Sequence, residues 1–588
     1  MGDSVSHDRP WRRPGALRYG LRRLRNAVRP PVTIYPAPDD MIKDADVPVV
    51  MRDGVTLRVN VYRPAGDGPF PVLLSAHPYG KDALPVRTRF GWKINFQYRI
   101  MNQPAPYRVS SETGWEAPDP AVWTSRSYVV INADLRGAGT SEGTGSLLSD
   151  AEALDVHDLI EWAGRQSWST GAVGMLGVSY LALSQYKAAA LHPPHLAAIC
   201  PWEGFTDLYR DFMKPGGVDE RGFSRIWALV TRKAARLSKD IGAERRRHPL
   251  RDDWWQSKTP NLTAIEVPML VCASFSDSNL HSAGSMRAFE RAGSAHKYLY
   301  THRGPKWATF YSDDAVATQH AFFDRHLRGD TTRTLPRVRL EVRGSRTEVT
   351  DVREEHEWPP AATTWTELLL ADGDRLTRVT GGGVASGSSV LDLRGAGLAY
   401  DLAIDSHLEL SGPMSARLWV SLPRGGDATL FVAVEKWAGT RWVPFVHGHE
   451  KVPTGGQVEV PAGGQIKVPT LCSSCRPGTE GPGDDGEGAN RSPSPPGSSI
   501  EVCEGPYGHH FCLPRTRKLS RRSRGVRHHP QDRQARGRSV RSRRSTTRSQ
   551  GTGPQLRCGG PARRAASRAV TRPDHCQTAA TGSASGRI

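Results

Sequence analysis

The sequence predicts an α/β protein: a mostly parallel sheet with helices on both faces, then a separate all-β domain, then a disordered Arg-rich tail. Three observations lead there. From about residue 45 to 330, apolar strand-like runs alternate with helix-like segments, the order that builds a parallel sheet covered on both faces. From about 336, short alternating runs such as PRVRLEVRG, ARLWVSLP and ATLFVAVEKW are spaced by Gly, Pro and Asp, the texture of a sandwich or jelly roll. After about 470, aliphatic residues become sparse and Arg, Gly, Pro, Ser and Ala dominate.

Residues 1–44 form a basic segment. In PGALRYGLRRLRNAVRP, Leu17, Leu21, Leu24 and Val28 fall at helical spacing. Such a helix either touches a membrane surface or lies on its own protein. The N-terminus shows no signal-peptide h-region, and no apolar run reaches the roughly 20 residues of a membrane span. A cytoplasmic protein without a membrane span is therefore expected. Cys200 and Cys272, in strand-like runs, read as core thiols of a reducing compartment.

Residues 45–330 supply the α/β domain. Strands are expected at 56–62, 71–76, 127–133, 172–178, 196–202, 268–275 and 297–302. Ser149 and Asp150 are cap candidates for the helix SDAEALDVHDLIEWAGRQ. Residues 203–265 interrupt the alternation with helical, polar sequence and are expected to sit above the sheet as a cap. Its Trp227, Trp254 and Trp255 either line a pocket or hold the cap to the body. In such sheets reactive groups gather at the carboxyl ends of the strands.

Residues 331–470 are expected to form the all-β domain. In 471–588 the composition cannot bury enough apolar surface to offset ordering entropy, so disorder is expected. The net charge of +19 belongs mainly there: 22 of the 79 Lys and Arg, against 8 of the 60 Asp and Glu, follow residue 471. The Arg-rich composition is what GC-rich DNA yields when read out of frame, and a frameshift near 450–475 would leave the all-β domain incomplete. A nucleic-acid-binding tail is the functional alternative. Cys472 and Cys475 pair as C-x2-C, as zinc ligands do. Cys503 and Cys512 are spaced C-x8-C near His509 and His510, in an unpatterned context that argues against a metal site.

The chemistry concentrates in a few strand ends. MLGVSYLALSQYKAAA carries Ser179 between an apolar run and a helix-like stretch. Gly177 matches the first glycine of the nucleophile-elbow pattern G-x-S-x-G, whereas Leu181 stands where the second would be. A tight turn there aims the Ser179 hydroxyl above the sheet at a helix N-terminus, with the Tyr180 amide facing a developing oxyanion. A serine needs a base and an orienting acid, in the chain order Ser, Asp or Glu, His. PMLVCASFSDSNLH puts Asp277 just past a strand, and KYLYTHRGPKW puts His302 at the end of the next. His281, four residues beyond Asp277, is a rival base. His296 lies at the wrong end of its strand, and His320 and His326 read as packing or surface residues of an amphipathic helix. Strand-end position favours His302. Tyr79, in HPYGKDALP, is either a second oxyanion donor or a packed loop aromatic.

HPYGKD, NADLRGAGTSEG, GVSYLALSQ, SFSDSNLH and HRGPKW together resemble the CocE/NonD hydrolases of the X-Pro dipeptidyl-peptidase (S15) superfamily. The family pattern around the serine is G-x-S-Y-x-G, and Ala182 occupies its last position. The resemblance covers roughly residues 45–450. It implies an α/β-hydrolase core, a helical cap and a C-terminal jelly-roll (galactose-binding-like) domain. It also implies Ser179 as nucleophile, Asp277 as orienting acid, His302 as base, and Tyr79 with the Tyr180 amide as oxyanion hole. Many relatives have a G-x-W-x-H-like stretch, whereas here His302 precedes Gly-Pro-Lys-Trp. DLRGAGTSEG lacks the lysine and spacing of a phosphate loop and reads as a structural turn, Asp134 and Arg136 tying it to neighbouring loops.

The expected function is a serine hydrolase cleaving ester or amide bonds, Xaa-Pro dipeptide bonds among them, through an acyl-enzyme. No cofactor is needed. The partner is a small ester, amide or peptide substrate, and a homo-oligomer stays open. The alternatives are a catalytically impaired hydrolase-fold protein and a nucleic-acid binder acting through its tail.

Overall fold

The computed structural model describes residues 16–366, apart from positions 102, 276, 278–279 and 346–347, and shorter stretches between 368 and 501. The expected tail disorder, the frameshift, Cys503, Cys512, His509 and His510 lie outside the described residues.

Ten strands form the main sheet: β1 (Ile42–Val50), β2 (Thr56–Arg63), β3 (Phe70–His77), β4 (Val129–Asp134), β5 (Ser169–Val178), β6 (Leu196–Trp202), β7 (Met269–Ser274), β8 (Lys297–His302), β9 (Val338–Ser345) and β10 (Glu348–Glu355). Their order across the sheet is β10-β9-β8-β7-β6-β5-β3-β4-β2-β1. From β9 through β5 and β3 to β4 all neighbours run parallel. β2, β1 and β10 join antiparallel. Strands β4 and β7 are buried along their whole length, which is why they read as unbroken apolar runs rather than alternating ones.

Both faces are covered. Of the helices, α1 (Ala16–Val28) precedes the sheet, while α2 (Asp150–Gly164), α3 (Tyr180–Ala189), α4 (Phe223–Ala234), α5 (Ile241–Arg247), α6 (Ser282–Arg291), α7 (Lys306–Phe310) and α8 (Asp313–Phe323) follow its strands. One core packs Leu159 and Ile160 of α2, Leu181 and Tyr186 of α3 and Phe289 of α6 against Val72, Met175 and Val271. The other packs Phe322 and Phe323 of α8 with Trp123 and Tyr128 against Leu73, Leu176 and Cys200. Cys200 and Cys272 are free buried thiols, as expected. Ser149 caps α2, its Oγ accepting from the Glu152 amide at 3.1 Å.

Helix α1 rests on its polar side: Asn26 donates to the Gln103 carbonyl at 2.8 Å, and Arg99 donates to the carbonyls of Ala27 and Val28. Leu17, Leu21, Leu24 and Val28 stay exposed. Among the described residues no helix is long and apolar enough to cross a membrane.

The sequence assigns 336–344 to the all-β domain, but β9 pairs parallel with β8 in the main sheet. Its alternating text misleads because its charged residues are buried in partnership. Arg343 donates to Glu341 at 2.6 Å, and the Arg303 amide donates to the same carboxylate at 3.0 Å. Farther on, Gly464–Arg476 pairs antiparallel with Leu398–Ala403 on one side and with Asp427–Val432 and Glu435–Ala438 on the other.

The segment between β6 and β7 contains α4, α5 and a π-helical turn, Leu208–Met213. The loop after β4 is its dock. The Arg236 amide donates to the Gly137 carbonyl, and the amides of Gly145 and Ser238 donate to the carbonyls of Arg236 and Gly145, all at 2.8–2.9 Å. Gly137 has φ +77°, and a Cβ there would sit 2.4 Å from the Arg236 carbonyl oxygen, so only glycine allows this approach. The same loop is held from below: Asp134 accepts from the Lys81 amide at 2.6 Å, and Arg136 pairs with Asp155 and Asp53.

Candidate active site

Strand β5 ends at Val178 and α3 begins at Tyr180. Between them Ser179 takes φ 58°, ψ −116°, a conformation that costs a non-glycine residue energy. Its amide donates to the Trp202 carbonyl at 3.1 Å, and the Val178 amide donates to the Glu116 carbonyl at 3.0 Å. These bonds hold the turn in its sharp form. The first amide of a helix has no partner within that helix, so the Tyr180 N–H is available beside the Ser179 hydroxyl. The family glycine replaced by Ala182 has a counterpart: a Cβ on Gly204 would lie 2.7 Å from the Ala182 Cβ. The methyl on the helix is accommodated because the facing residue has none.

The histidine beside Ser179 is not the one expected. Ser179 Oγ lies 3.2 Å from His281 Nε2, and His281 Nδ1 lies 2.5 Å from Asp277 Oδ2. His302 instead sets its Nε2 3.1 Å from Glu203 Oε1, with both side chains 1% exposed. Sheet order explains the correction. β8 is three strands from β5, roughly 14 Å at about 4.8 Å per strand, and α7 follows at once, so no long loop carries His302 back to Ser179. Asp277 and His281 share one turn, the His281 amide donating to the Asp277 carbonyl at 3.0 Å, which puts their side chains side by side. The i, i+4 spacing of SDSNLH was the available signal. The expectations for the other histidines hold: His320 pairs with Asp324, and His326 packs on Phe322.

Three charged residues absent from the sequence reading lie beside this triad. Lys306, the first residue of α7, reaches Asp277 Oδ2 at 2.5 Å and His281 Nδ1 at 2.9 Å. Glu203, fully buried at the end of β6, offers Oε2 at 3.7 Å from Lys306 Nζ. Glu116 is buried nearby. Burial opposes the Lys306 charge, but Asp277, Glu203 and Glu116 outweigh it and hold the ammonium above its ordinary range. Burial likewise opposes ionisation of Asp277, and Lys306 and His281 override it, keeping the carboxylate charged. Burial and then Lys306 push His281 down, against Asp277 and Glu203. Burial raises Glu116 to about 8. Glu203, Asp277 and His281 bring donor atoms within 4.8 Å, as do Glu203, Cys272 and His302. The Lys306 ammonium already fills the first group with positive charge. In the second group Glu203 and His302 already face each other at 3.1 Å.

Beside Ser179 lies a small cleft lined by Leu183, Phe205, Phe212, Phe223, Trp227 and Leu280. Trp227 therefore lines the pocket. Trp254 and Trp255 hold the cap: Trp255 is fully buried and donates to the His248 carbonyl at 2.9 Å, and Trp254 stacks on His248. The Tyr79 hydroxyl accepts from Trp227 Nε1 at 3.1 Å, leaving its own proton free to donate, and burial keeps the phenol protonated. The Tyr180 hydroxyl donates to Glu152 at 2.8 Å, so its side chain ties α3 to α2. A serine beside a histidine that a carboxylate orients, next to an apolar cleft, is an arrangement acyl transfer uses.

The family model for X-Pro dipeptidyl-peptidase (S15 family) matches residues 53–305. The chain is 30% identical over 405 residues to the cocaine esterase of a Rhodococcus species, covering 58% of this chain and 65% of that protein's length. The crystal structure of a CocE/NonD family hydrolase from Staphylococcus aureus superposes with TM-score 0.66 at 30% identity, covering 73% of this chain and 86% of the other. An α-amino acid ester hydrolase structure gives TM-score 0.52 at 18% identity over 75% and 91% of the two chains. That similarity is one of fold.

Proposed function

Because the chain belongs to the CocE/NonD hydrolases of the S15 family, we propose that it is a serine hydrolase cleaving esters of small apolar acids. Ser179 attacks the acyl carbon, and His281 Nε2 takes its proton and later returns it to the leaving alcohol. Asp277 holds Nδ1 protonated and faces the imidazolium that forms. The Tyr180 amide and the Tyr79 hydroxyl receive the oxyanion. Water then repeats the sequence on the acyl-enzyme. The observation that carries this reading is the Ser179–His281–Asp277 chain of contacts at 3.2 and 2.5 Å.

Ester cleavage is favoured over Xaa-Pro cleavage by the cleft. Apart from Ser179 and His281, its lining among the described residues is aromatic and aliphatic, with no carboxylate there to receive a peptide's ammonium group. The strands between 368 and 501 are read as the jelly-roll domain. The test compares acyl esters with Xaa-Pro anilides and follows labelling by a fluorophosphonate. Ser179→Ala is expected to abolish both turnover and labelling. A folded wild-type protein that neither labels nor turns over esters overturns the reading.

A further inference from the structure

Position Nδ1 of His281 faces two groups of opposite charge, Asp277 Oδ2 at 2.5 Å and Lys306 Nζ at 2.9 Å. A Ser–His–Asp triad needs only the first. The second has chemical consequences. With Nδ1 protonated, the ring donates to Asp277 and leaves the Nε2 lone pair for Ser179. The doubly protonated ring, which cannot accept a proton, would set a full positive charge beside the buried ammonium. Lys306 is built to stay: it is the first residue of α7, its side chain is 13% exposed, and it donates to Asp277 at 2.5 Å. Trp307, next to it, packs on Trp115 with ring centroids 4.9 Å apart.

Resting on the triad read above, we propose that Lys306 is a positioning residue of the base: its ammonium anchors Asp277 and keeps His281 in its proton-accepting form to lower pH than Ser179, His281 and Asp277 would by themselves. The groups facing His281 set the balance. Asp277 from its own turn and Glu203 from the end of β6 favour the imidazolium, Lys306 from α7 opposes it, and Phe205 stacks on the ring at 6.1 Å. Glu116 also faces Lys306 and, with Asp277 and Glu203, favours its ammonium form. Asp211 is engaged by Arg287, the charged residue one helical turn and a half along α6.

The test uses the full chain and two readouts: the pH profile of kcat/KM on p-nitrophenyl butyrate, and the rate of fluorophosphonate labelling at Ser179. In wild type the acid limb is expected below 6.5, the ordinary value of histidine. Lys306→Met is expected to move it up by about one pH unit, the scale of a nearby charge removed, while Lys306→Arg keeps it low. A lysine that only braces α7 would change thermal stability and leave the limb in place. A folded Lys306→Met protein with the wild-type limb therefore overturns the proposal. If Lys306→Met does not fold, the wild-type limb decides, and one above 6.5 overturns it. Ser179→Ala separates the two readings. If that variant still labels and turns over, the triad falls and this proposal with it. If it loses both while the limb is unmoved by Lys306→Met, only the role of Lys306 falls.

Discussion

Exchanging His281 for alanine removes the group proposed to accept the Ser179 proton, and kcat should fall by about 10²–10⁴-fold with little change in melting temperature. His302→Ala should do the reverse. It strips Glu203 of a partner in a fully buried site, costing about 1–3 kcal/mol, while the folded fraction keeps turning over. Parallel steady-state kinetics and thermal melts of the two variants check both outcomes. The contrast also shows what was legible at this scale. Ser179 and Asp277 stand directly at strand ends, where a linear sequence marks them. The base could not be chosen by that rule, since both histidines follow strands, and distance across the sheet is a property of strand order. Lys306, Glu203 and Glu116 escaped because a lone charged residue at a strand or helix end ordinarily faces water. Here they are buried against one another.

At the scale of elements, α3 and the end of β6 are fitted to each other through one methyl group. Gly204→Ala would force two Cβ atoms to 2.7 Å, and overpacking of this kind costs about 1–3 kcal/mol. Adding Ala182→Gly should recover most of that loss, a coupling that a double-mutant cycle of chemical denaturation midpoints measures directly. The cap offers a second case. Gly137→Ala sets a methyl against the Arg236 carbonyl. It is expected to raise KM for apolar esters several-fold and to speed proteolysis within 203–265, because Phe212, Phe223 and Trp227 reach the cleft only from a docked cap. Seven strands and the cap insertion were readable from apolar alternation. β1 and the true place of β9 were not, since edge strands and charge-paired strands lack an unbroken apolar run.

For the whole molecule, burial raises several carboxyls: Asp134 to about 6, Glu152 to about 7, and Glu116 and Glu290 to about 8. Each binds its proton more tightly folded than unfolded. Its contribution is full below the unfolded value and is lost as pH rises through the folded one. These groups therefore predict a melting temperature that declines between about pH 4.5 and 8. Glu116→Gln, neutral throughout, should make the decline shallower, as calorimetric scans across that range would show.

The loop from Asp134 to Gly145 carries two loads at once. Downward, Asp134 holds the Lys81 amide, two residues from Tyr79; upward, Gly137 and Gly145 hold Arg236 and Ser238, just past the end of the helix that carries Trp227. Tyr79 and Trp227 then meet hydroxyl to indole, and Trp227 lines the cleft with Ser179. The Trp227 wall of the cleft and the Tyr79 loop thus hang from a single keystone. A single cut within this loop should release both together, so that esterase activity and cap retention decay at one shared rate during limited digestion.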